Sequence, residues 1–202
     1  MIEYRKNQCG DVYIMAIVLA SKSPRRRELL ELLGLSFTVC TADIDETIDA
    51  AKPITDEIVR LSREKAQAVA SMVEGDDVII SADTVVVLGN TVMGKPKDSA
   101  EAREMLLALS DNTHSVITAV TVMCGDKIRT EAVTTKIMFR GLTEQEIDAY
   151  VATKSPLDKA GAYGIQEKAA AFVKEIHGDY FSVVGLPVCT LVELLRDFGI
   201  NI

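Results

Sequence analysis

Apolar residues in this 202-residue chain follow two rhythms, short continuous runs and three-to-four-residue spacings, and the order in which they alternate predicts an architecture. "AIVLA" at 16 to 20 reads as a buried strand, and Leu29, Leu30 and Leu33 then recur on one face of a helix over 24 to 33 that stops at Gly34. A short strand "SFTVC" and the acidic loop "TADIDETID" precede a helix from about Thr55 to Val73. "DVIISADTVVVLGNTVMGKPKD" reads as a strand, a Gly89-Asn90 turn and a return strand ended by Gly94 and Pro96. Ser99 opens a helix over 100 to 109, and two long strands flank Gly125-Asp126. Thr143 opens the helix "EQEIDAYVA", "SPLDKAGAYGIQ" is a Gly-rich loop, "AAFVKEI" a strand and "PVCTLVELLRDFG" a terminal helix. Strands alternating with helices, interrupted by hairpins, predict an α/β fold: a mixed central β-sheet flanked by helices, one compact unit with two lobes around a cleft.

The first helix carries a conflict. Ser23 suits the N-cap and Pro24 the first helical position, yet Arg25, Arg26 and Arg27 fill a first turn whose backbone N–H groups already make it positive. An anionic ligand at that end would turn the penalty into binding energy, because Arg matches phosphate with two parallel bonds and the preceding strand, loop and helix form a phosphate-binding geometry. The competing reading leaves all three arginines pointing into solvent.

Charge and composition narrow the function. The net charge of −8 argues against a nucleic-acid polymer or an anionic membrane as partner, so any phosphate site is local. Cys9, Cys40, Cys124 and Cys189 are far apart, as are His114 and His177, which disfavours zinc and a disulfide framework and suggests a cytoplasmic setting. "YRKNQCGDVYIMAIVLAS", two basic residues before the apolar run Val12 to Ala20, loosely imitates a secretory leader, but Glu3 and Asp11 interrupt the basic region; "AIVLA" reads instead as a buried strand, and residues 1 to 14 as an N-terminal extension to one domain over 15 to 202, with Met15 a natural start of the folded unit.

Asp83 stands in the apolar run "ISADTVV", where a carboxylate is paired, metal-bound or at a cleft. A two-residue turn at Gly89-Asn90 sets Leu88 opposite Thr91, Val86 opposite Met93 and Thr84 opposite Lys95, which puts Lys95 diagonal to Asp83; a structural salt bridge is the plainer alternative. Asp43, Asp45 and Glu46 offer hard oxygens that suit Mg²⁺ or Mn²⁺, although short acidic loops are more often solvated. Lys65 in "RLSREKA" is uninformative alone, whereas Gly161 and Gly164 allow close backbone approach to a ligand and Gln166 adds an amide able to read a base edge.

Together "LASKSPRRRELLELLG", "DIDET", "RLSREKA", "SADTVV", "GKPKD", "LDKAGAYGIQ" and "VVGLPV" resemble, in order and character, the Maf-type nucleotide pyrophosphatases, from Ala16 to the C-terminus. The resemblance implies an inosine-triphosphate-pyrophosphatase-like fold and cleavage of a nucleoside triphosphate to monophosphate and pyrophosphate with a divalent metal, Mg²⁺ or Mn²⁺. "LDKAGAYGIQ" looks like the branch acting on dTTP and UTP. By the same resemblance Asp83 falls on the catalytic carboxylate, as base or metal ligand, and Ser21, Arg26, Glu46, Lys65 and Lys95 on phosphate- and metal-site positions. Arg25, Thr84 and Gln166 match positions tied to substrate choice. A homodimer fits the family; a 7-methyl-GTP pyrophosphatase and a nucleotide-binding regulator of septation without turnover are the alternatives. Glu167 and Ala119 stand where Gly is common, and residues 1 to 14 have no counterpart.

Overall fold

The computed structural model describes residues 4–6, 12–14, 16–73 and 76–202. Two short strands, β1 (Tyr4–Lys6) and β2 (Val12–Ile14), pair antiparallel with Arg5 opposite Tyr13. The rest of the expected N-terminal extension, with Cys9, and also Met15 lie outside the described residues.

The main sheet is built from β3 (Ile17–Leu19), β4 (Phe37–Val39), β5 (Val78–Leu88), β6 (Thr91–Met93), β7 (Thr113–Cys124), β8 (Lys127–Phe139) and β9 (Val173–His177). Its order is β4-β3-β5-β7-β8-β9, with β6 on β5. β3 runs parallel to both β4 and β5, while β6 and β9 pair antiparallel with β5 and β8. The sheet is therefore mixed, as the alternation of strands, helices and hairpins predicts. Six α-helices are described: α1 (Pro24–Leu32), α2 (Ile54–Ala70), α3 (Ser99–Leu109), α4 (Glu144–Val151), α5 (Tyr180–Val184) and α6 (Val188–Asp197).

The chain divides into two compact units that interleave in sequence. The first comprises residues 1–83, 119–132 and 188–202, the second 84–118 and 133–187. In the first, Val18 and Ala20 of the β3 segment, Ala66 and Val69 of α2 and Ile79 of β5 form one buried cluster, with Cys40, Ala42 and Met123 packed against it. Here β3 and β5 are apolar on both faces because helices cover the sheet. A polar thread crosses this interior. The Ser62 and Thr121 hydroxyls lie 2.8 Å apart and Ser81 Oγ donates to the Ser62 carbonyl at 2.6 Å, so each buried hydroxyl is satisfied.

The second unit has an aromatic core. Phe139 meets His114, Tyr163 and Phe172 edge-on, with ring centroids 5.0, 4.8 and 6.0 Å away. His114 is 2% exposed and its Nε2 lies 2.8 Å from the Tyr163 hydroxyl, while Nδ1 has no hydrogen-bond partner among the described residues. Burial holds the imidazole down to about 4 and pushes the Tyr163 phenol up.

Helix ends follow their local chemistry, with three corrections. Thr143 and Glu146 complete the capping box of α4. For α3 the cap is Asp98, whose carboxylate accepts from the Glu101 N–H, so Ser99 is the first helical residue rather than the cap. Ser23 occupies the N-cap of α1 without capping it through its side chain; its own N–H instead donates to Ser21 Oγ at 3.2 Å. α2 ends three residues before the expected Val73. α5 has only five residues, too few for a periodic signal, and the Gly-rich loop contains 3₁₀ turns over Ser155–Asp158 and Ala160–Ala162.

Candidate active site

Parallel pairing of β3 with β5 sets Leu19 opposite Ile80, where β3 ends while β5 continues through Asp83. The chain leaves the carboxyl end of β3 through Ser21 into α1. Ligands of open α/β sheets bind at such carboxyl edges. The Ala20 N–H donates to the Ile80 carbonyl at 2.8 Å, carrying the pairing to the residue before Ser21.

Three sequence-distant residues meet there. Lys65 Nζ lies 2.5 Å from Asp83 Oδ1 and 3.0 Å from Glu46 Oε1, with the Lys65 and Asp83 side chains 15% and 14% exposed and Glu46 59% exposed. The ammonium is thus shared by two carboxylates, one from a strand and one from a loop. Arg26 is half-buried, donates to Ser21 Oγ at 3.1 Å, and feels the charges of Asp83, Glu46 and Arg25. Burial lowers its guanidinium from the ordinary value, and the two carboxylates oppose that shift. Arg27 is exposed. The arginines at the start of α1 therefore divide: Arg26 turns toward the carboxylates and Arg27 toward solvent.

The Asp83 pairing corrects the hairpin expectation. Gly89 takes φ +58°, as a two-residue hairpin turn requires, and Val86 faces Met93 and Leu88 faces Thr91 as the register predicts. The β5–β6 ladder ends at Val86 and Met93, so its register does not extend to Thr84 and exposed Lys95. Pro96 follows immediately and has no N–H to extend a ladder. The cation on Asp83 is Lys65 of α2.

The second unit holds Thr84, Lys95 and Gln166. Thr84 Oγ1 lies 3.0 Å from Thr118 Oγ1, which donates onward to the Ser182 carbonyl at 2.7 Å. Gln166 is exposed on the turn closing the Gly-rich loop. That loop is anchored from three sides: Gly161 N–H donates to the Gly94 carbonyl at 3.0 Å, Gly164 N–H to the Tyr150 hydroxyl at 3.2 Å, and Tyr163 meets His114. Gly161 has φ +66° and a Cβ there would come within 2.9 Å of Val86, so both conformation and space demand glycine. Glu167, the residue beside Gln166, is held within its own loop, 3.0 Å from Lys159 Nζ and bonded to Ser155 Oγ.

Among the described residues no group of three or more His, Cys, Asp and Glu side chains is placed to hold an ion. Glu46 and Asp83 nonetheless converge on one cation, the Lys65 ammonium. Two carboxylates completed by substrate phosphates and water are the usual Mg²⁺ arrangement, so the donor set fits an ion that arrives with a phosphate ligand.

Sequence reasoning missed Glu57 and Arg60, which tie the acidic loop to α2. Glu57 is 2% exposed and accepts from the Asp49 N–H at 2.9 Å and from Arg60 at 2.8 and 3.2 Å, which holds its carboxyl down to about 2. The readable signal is position: Glu57 precedes Ile58 and lies one turn before Leu61, on the apolar side of the helix.

Known proteins resemble this chain along most of its length. A dTTP/UTP pyrophosphatase of Bacillus cereus (strain AH820) is 49% identical over 186 residues, covering 92% of this chain and 97% of its own length. A dTTP/UTP pyrophosphatase of Bacillus anthracis matches to the same extent. Among solved structures, a HAM1 protein from Coxiella burnetii has a TM-score of 0.51 at 20% identity, covering 91% of this chain and 99% of its own, which relates the folds. No helix among the described residues is long and apolar enough to cross a membrane. The family model for Maf-like proteins matches residues 16–198, and the chain belongs to that family.

Proposed function

We propose that this protein hydrolyses dTTP and UTP to the nucleoside monophosphate and pyrophosphate. The single observation that carries the reading is Lys65 held between Glu46 and Asp83 with Arg26 beside them at the start of α1. Anionic phosphate is the ligand for which cations at a helix N-terminus cease to be a penalty. The names of the Bacillus relatives, 49% identical, support the choice of pyrimidine triphosphates.

In this mechanism water attacks the α-phosphorus and pyrophosphate leaves, with most of the rate coming from positioning and charge neutralisation. Arg26 and Lys65 bind phosphate oxygens, and Ser21 Oγ, hydrogen-bonded to Arg26, orients the guanidinium. When phosphate draws the Lys65 ammonium away, Asp83 is released to accept the proton of the attacking water. A Mg²⁺ or Mn²⁺ ion held by Glu46 and Asp83 would supply further charge neutralisation on the phosphates. Lys95 is assigned to the phosphate chain, and Arg25 and Thr84 to substrate choice.

Base selection falls to Gln166, whose C=O and NH₂ together match the donor and acceptor of uracil or thymine. A flipped amide would match cytosine equally well, so discrimination requires the loop to fix the amide. Its backbone anchors at Gly161 and Gly164 restrain the loop that carries Gln166, which supports that reading. A mismatched, held amide costs roughly 1 to 3 kcal/mol per unpaired group, or about ten- to hundredfold in kcat/KM.

The test is kcat/KM for dTTP, UTP, CTP, GTP and 7-methyl-GTP with Mg²⁺ or Mn²⁺, following pyrophosphate and monophosphate. Leading rates for dTTP and UTP, with selectivity lost in Gln166→Leu, are expected. Binding without pyrophosphate release would make the protein a nucleotide sensor, and a lead for 7-methyl-GTP would overturn the substrate class while keeping the reaction.

A further inference from the structure

Between β4 and α2 the chain runs from 40 to 53 without helix or strand, yet it carries Glu46. Backbone groups in such a segment need partners from elsewhere. Glu57 and Arg60, both on α2, provide them. Glu57 Oε2 accepts the Asp49 N–H at 2.9 Å, and Arg60 donates to the Thr47 carbonyl at 2.8 Å. The two grip points lie one and three residues beyond Glu46. On the near side the loop closes on itself, since Asp45 Oδ1 accepts the Thr47 N–H at 2.9 Å.

The pair that grips is itself locked. Arg60 uses Nε and one terminal nitrogen on Glu57 and the other terminal nitrogen on Glu64, at 2.8 Å. Lys52 adds a second cation 3.7 Å from Glu57. A carboxylate 2% exposed needs such compensation. Neutralising itself would require only Arg60. Two of the hydrogen bonds go instead to loop backbone, which an ion pair serving helix stability alone would not need. Lys65 stands on the same helix, so one rigid element references both the loop bearing Glu46 and the ammonium that Glu46 meets at 3.0 Å.

We propose that Glu57 and Arg60 are positioning residues of the reaction: a clasp that holds the 45–49 turn so that Glu46 is presented to the Lys65 and Asp83 centre. This rests on the reading above that Glu46 serves turnover. Without the clasp the loop keeps its sequence and charge but loses its fixed distance to α2, and misplacement by about 1 Å costs up to about hundredfold in rate.

The experiment is a double-mutant cycle on the full chain with dTTP and Mg²⁺, using Glu57→Gln, Glu46→Gln and the double variant, reading kcat and KM separately. Glu57→Gln keeps side-chain shape but turns one acceptor oxygen into a donor. It is expected to lower kcat about ten- to hundredfold with KM within about threefold. The double variant is expected to be no slower than Glu46→Gln, because residues acting as one unit do not add. Losses that multiply in the double variant, or a Glu57→Gln enzyme with wild-type kcat, overturn the clasp while the site reading stands. Normal turnover by Glu46→Gln overturns both. Should Glu57→Gln fail to fold, Arg60→Lys enters the same cycle, keeping the charge but losing the fork that reaches Thr47. Amide exchange at Asp49 gives a readout independent of catalysis: protection in the wild type and fast exchange in either variant are expected, and unchanged protection overturns the proposal.

Discussion

Among the described residues two lysines are mostly buried, and each lies within 3.0 Å of two carboxylates. Lys159, 6% exposed, touches Asp158 at 2.7 Å, Glu167 at 3.0 Å and the Ser155 carbonyl at 2.7 Å. All these partners belong to its own loop. Its three ammonium protons meet three nearby oxygens, so it has nothing left for a ligand, and what it does is close the loop. Lys65 draws its partners from positions 46 and 83, brought together only by the tertiary fold, with a second cation, Arg26, close to the same carboxylates. Burying that many charges from separate elements is expensive for folding, whereas a local ring of charges costs little chain entropy to form. The difference separates a lysine tied within one loop from a lysine whose partners come from separate elements, and the phosphate-binding proposal rests on the second.

Removing the Asp83 charge gives the largest contrast. Asp83→Asn is expected to cut turnover by at least about 10²-fold while the protein stays folded, since general-base losses are of that size. Near-normal turnover would end its assignment and move suspicion to Glu46. Arg26→Ala is expected to raise KM or lower kcat about ten- to hundredfold without lowering the melting temperature of the free protein. A large fall in melting temperature with normal kinetics would make Arg26 structural.

Acid should act on the second unit through His114. Burial depresses its folded pKa to about 4 from the ordinary 6.5, so between those values the unfolded chain holds a proton that the folded one excludes. Stability is complete above about pH 6.5 and falls as pH drops toward 4, by about 3 kcal/mol in total at 1.36 kcal/mol per unit. Glu57 and Glu146, held to about 2 chiefly by Arg60 and Arg140, lose their contribution later, as pH falls from 4.5 through 2. Melting curves from pH 7 to 4 for wild type and His114→Gln check this, and parallel slopes for the two proteins would remove His114 as the cause.

Lys159→Met tests the tie itself. Its carboxylate partners are 62% and 39% exposed and regain water when the ammonium is lost, so the cost should fall below that of a fully buried pair, at about 1 to 2 kcal/mol. Chemical denaturation measures it. A loss of selectivity between UTP and CTP with kcat for dTTP kept would place the damage in the loop; an equal loss of kcat for all substrates would erase the distinction between the two lysines.

Much of this arrangement is legible in the sequence where the cause is local. Pro24, the leucine spacing and Gly34 specify α1, the Gly89-Asn90 turn specifies its hairpin register, and Thr143 with Glu146 specifies the start of α4. Asp83 is conspicuous as a charge in an apolar strand. Partnership is not local. Extrapolating the hairpin two steps past Met93 points Asp83 at Lys95, whereas the tertiary packing of α2 on β5 delivers Lys65. Glu57 and Arg60 look like an ordinary i,i+3 surface pair until the loop over them is seen, because nothing in their spacing announces a backbone 8 to 13 residues upstream as the acceptor or donor. Glu167 is the converse case: a residue that departs from the usual glycine looks like a change in base recognition, and its carboxylate turns out to be bonded within the loop.

The smallest expected effect isolates the conflict at the start of α1. Arg27 is exposed and its backbone N–H donates to the Ser23 carbonyl at 3.3 Å, so the side chain adds positive charge to an end that has no acidic residue in its first turn. No acidic side chain of the helix itself offsets its dipole there. Arg27→Ala should therefore raise stability by a few tenths of a kcal/mol, the size of one charge at an exposed helix end, and ionic strength should erase the gain. Kinetics should stay within about twofold of wild type, because Arg27 faces away from the carboxylates that Arg26 feels. Thermal melts at low and high salt, paired with kcat/KM for dTTP, decide it. A stability gain with unchanged kinetics assigns the dipole penalty to Arg27 and phosphate binding to Arg26. A marked kinetic loss would instead show that phosphate recruits the whole arginine triplet, and that the outward side chain swings inward when substrate arrives.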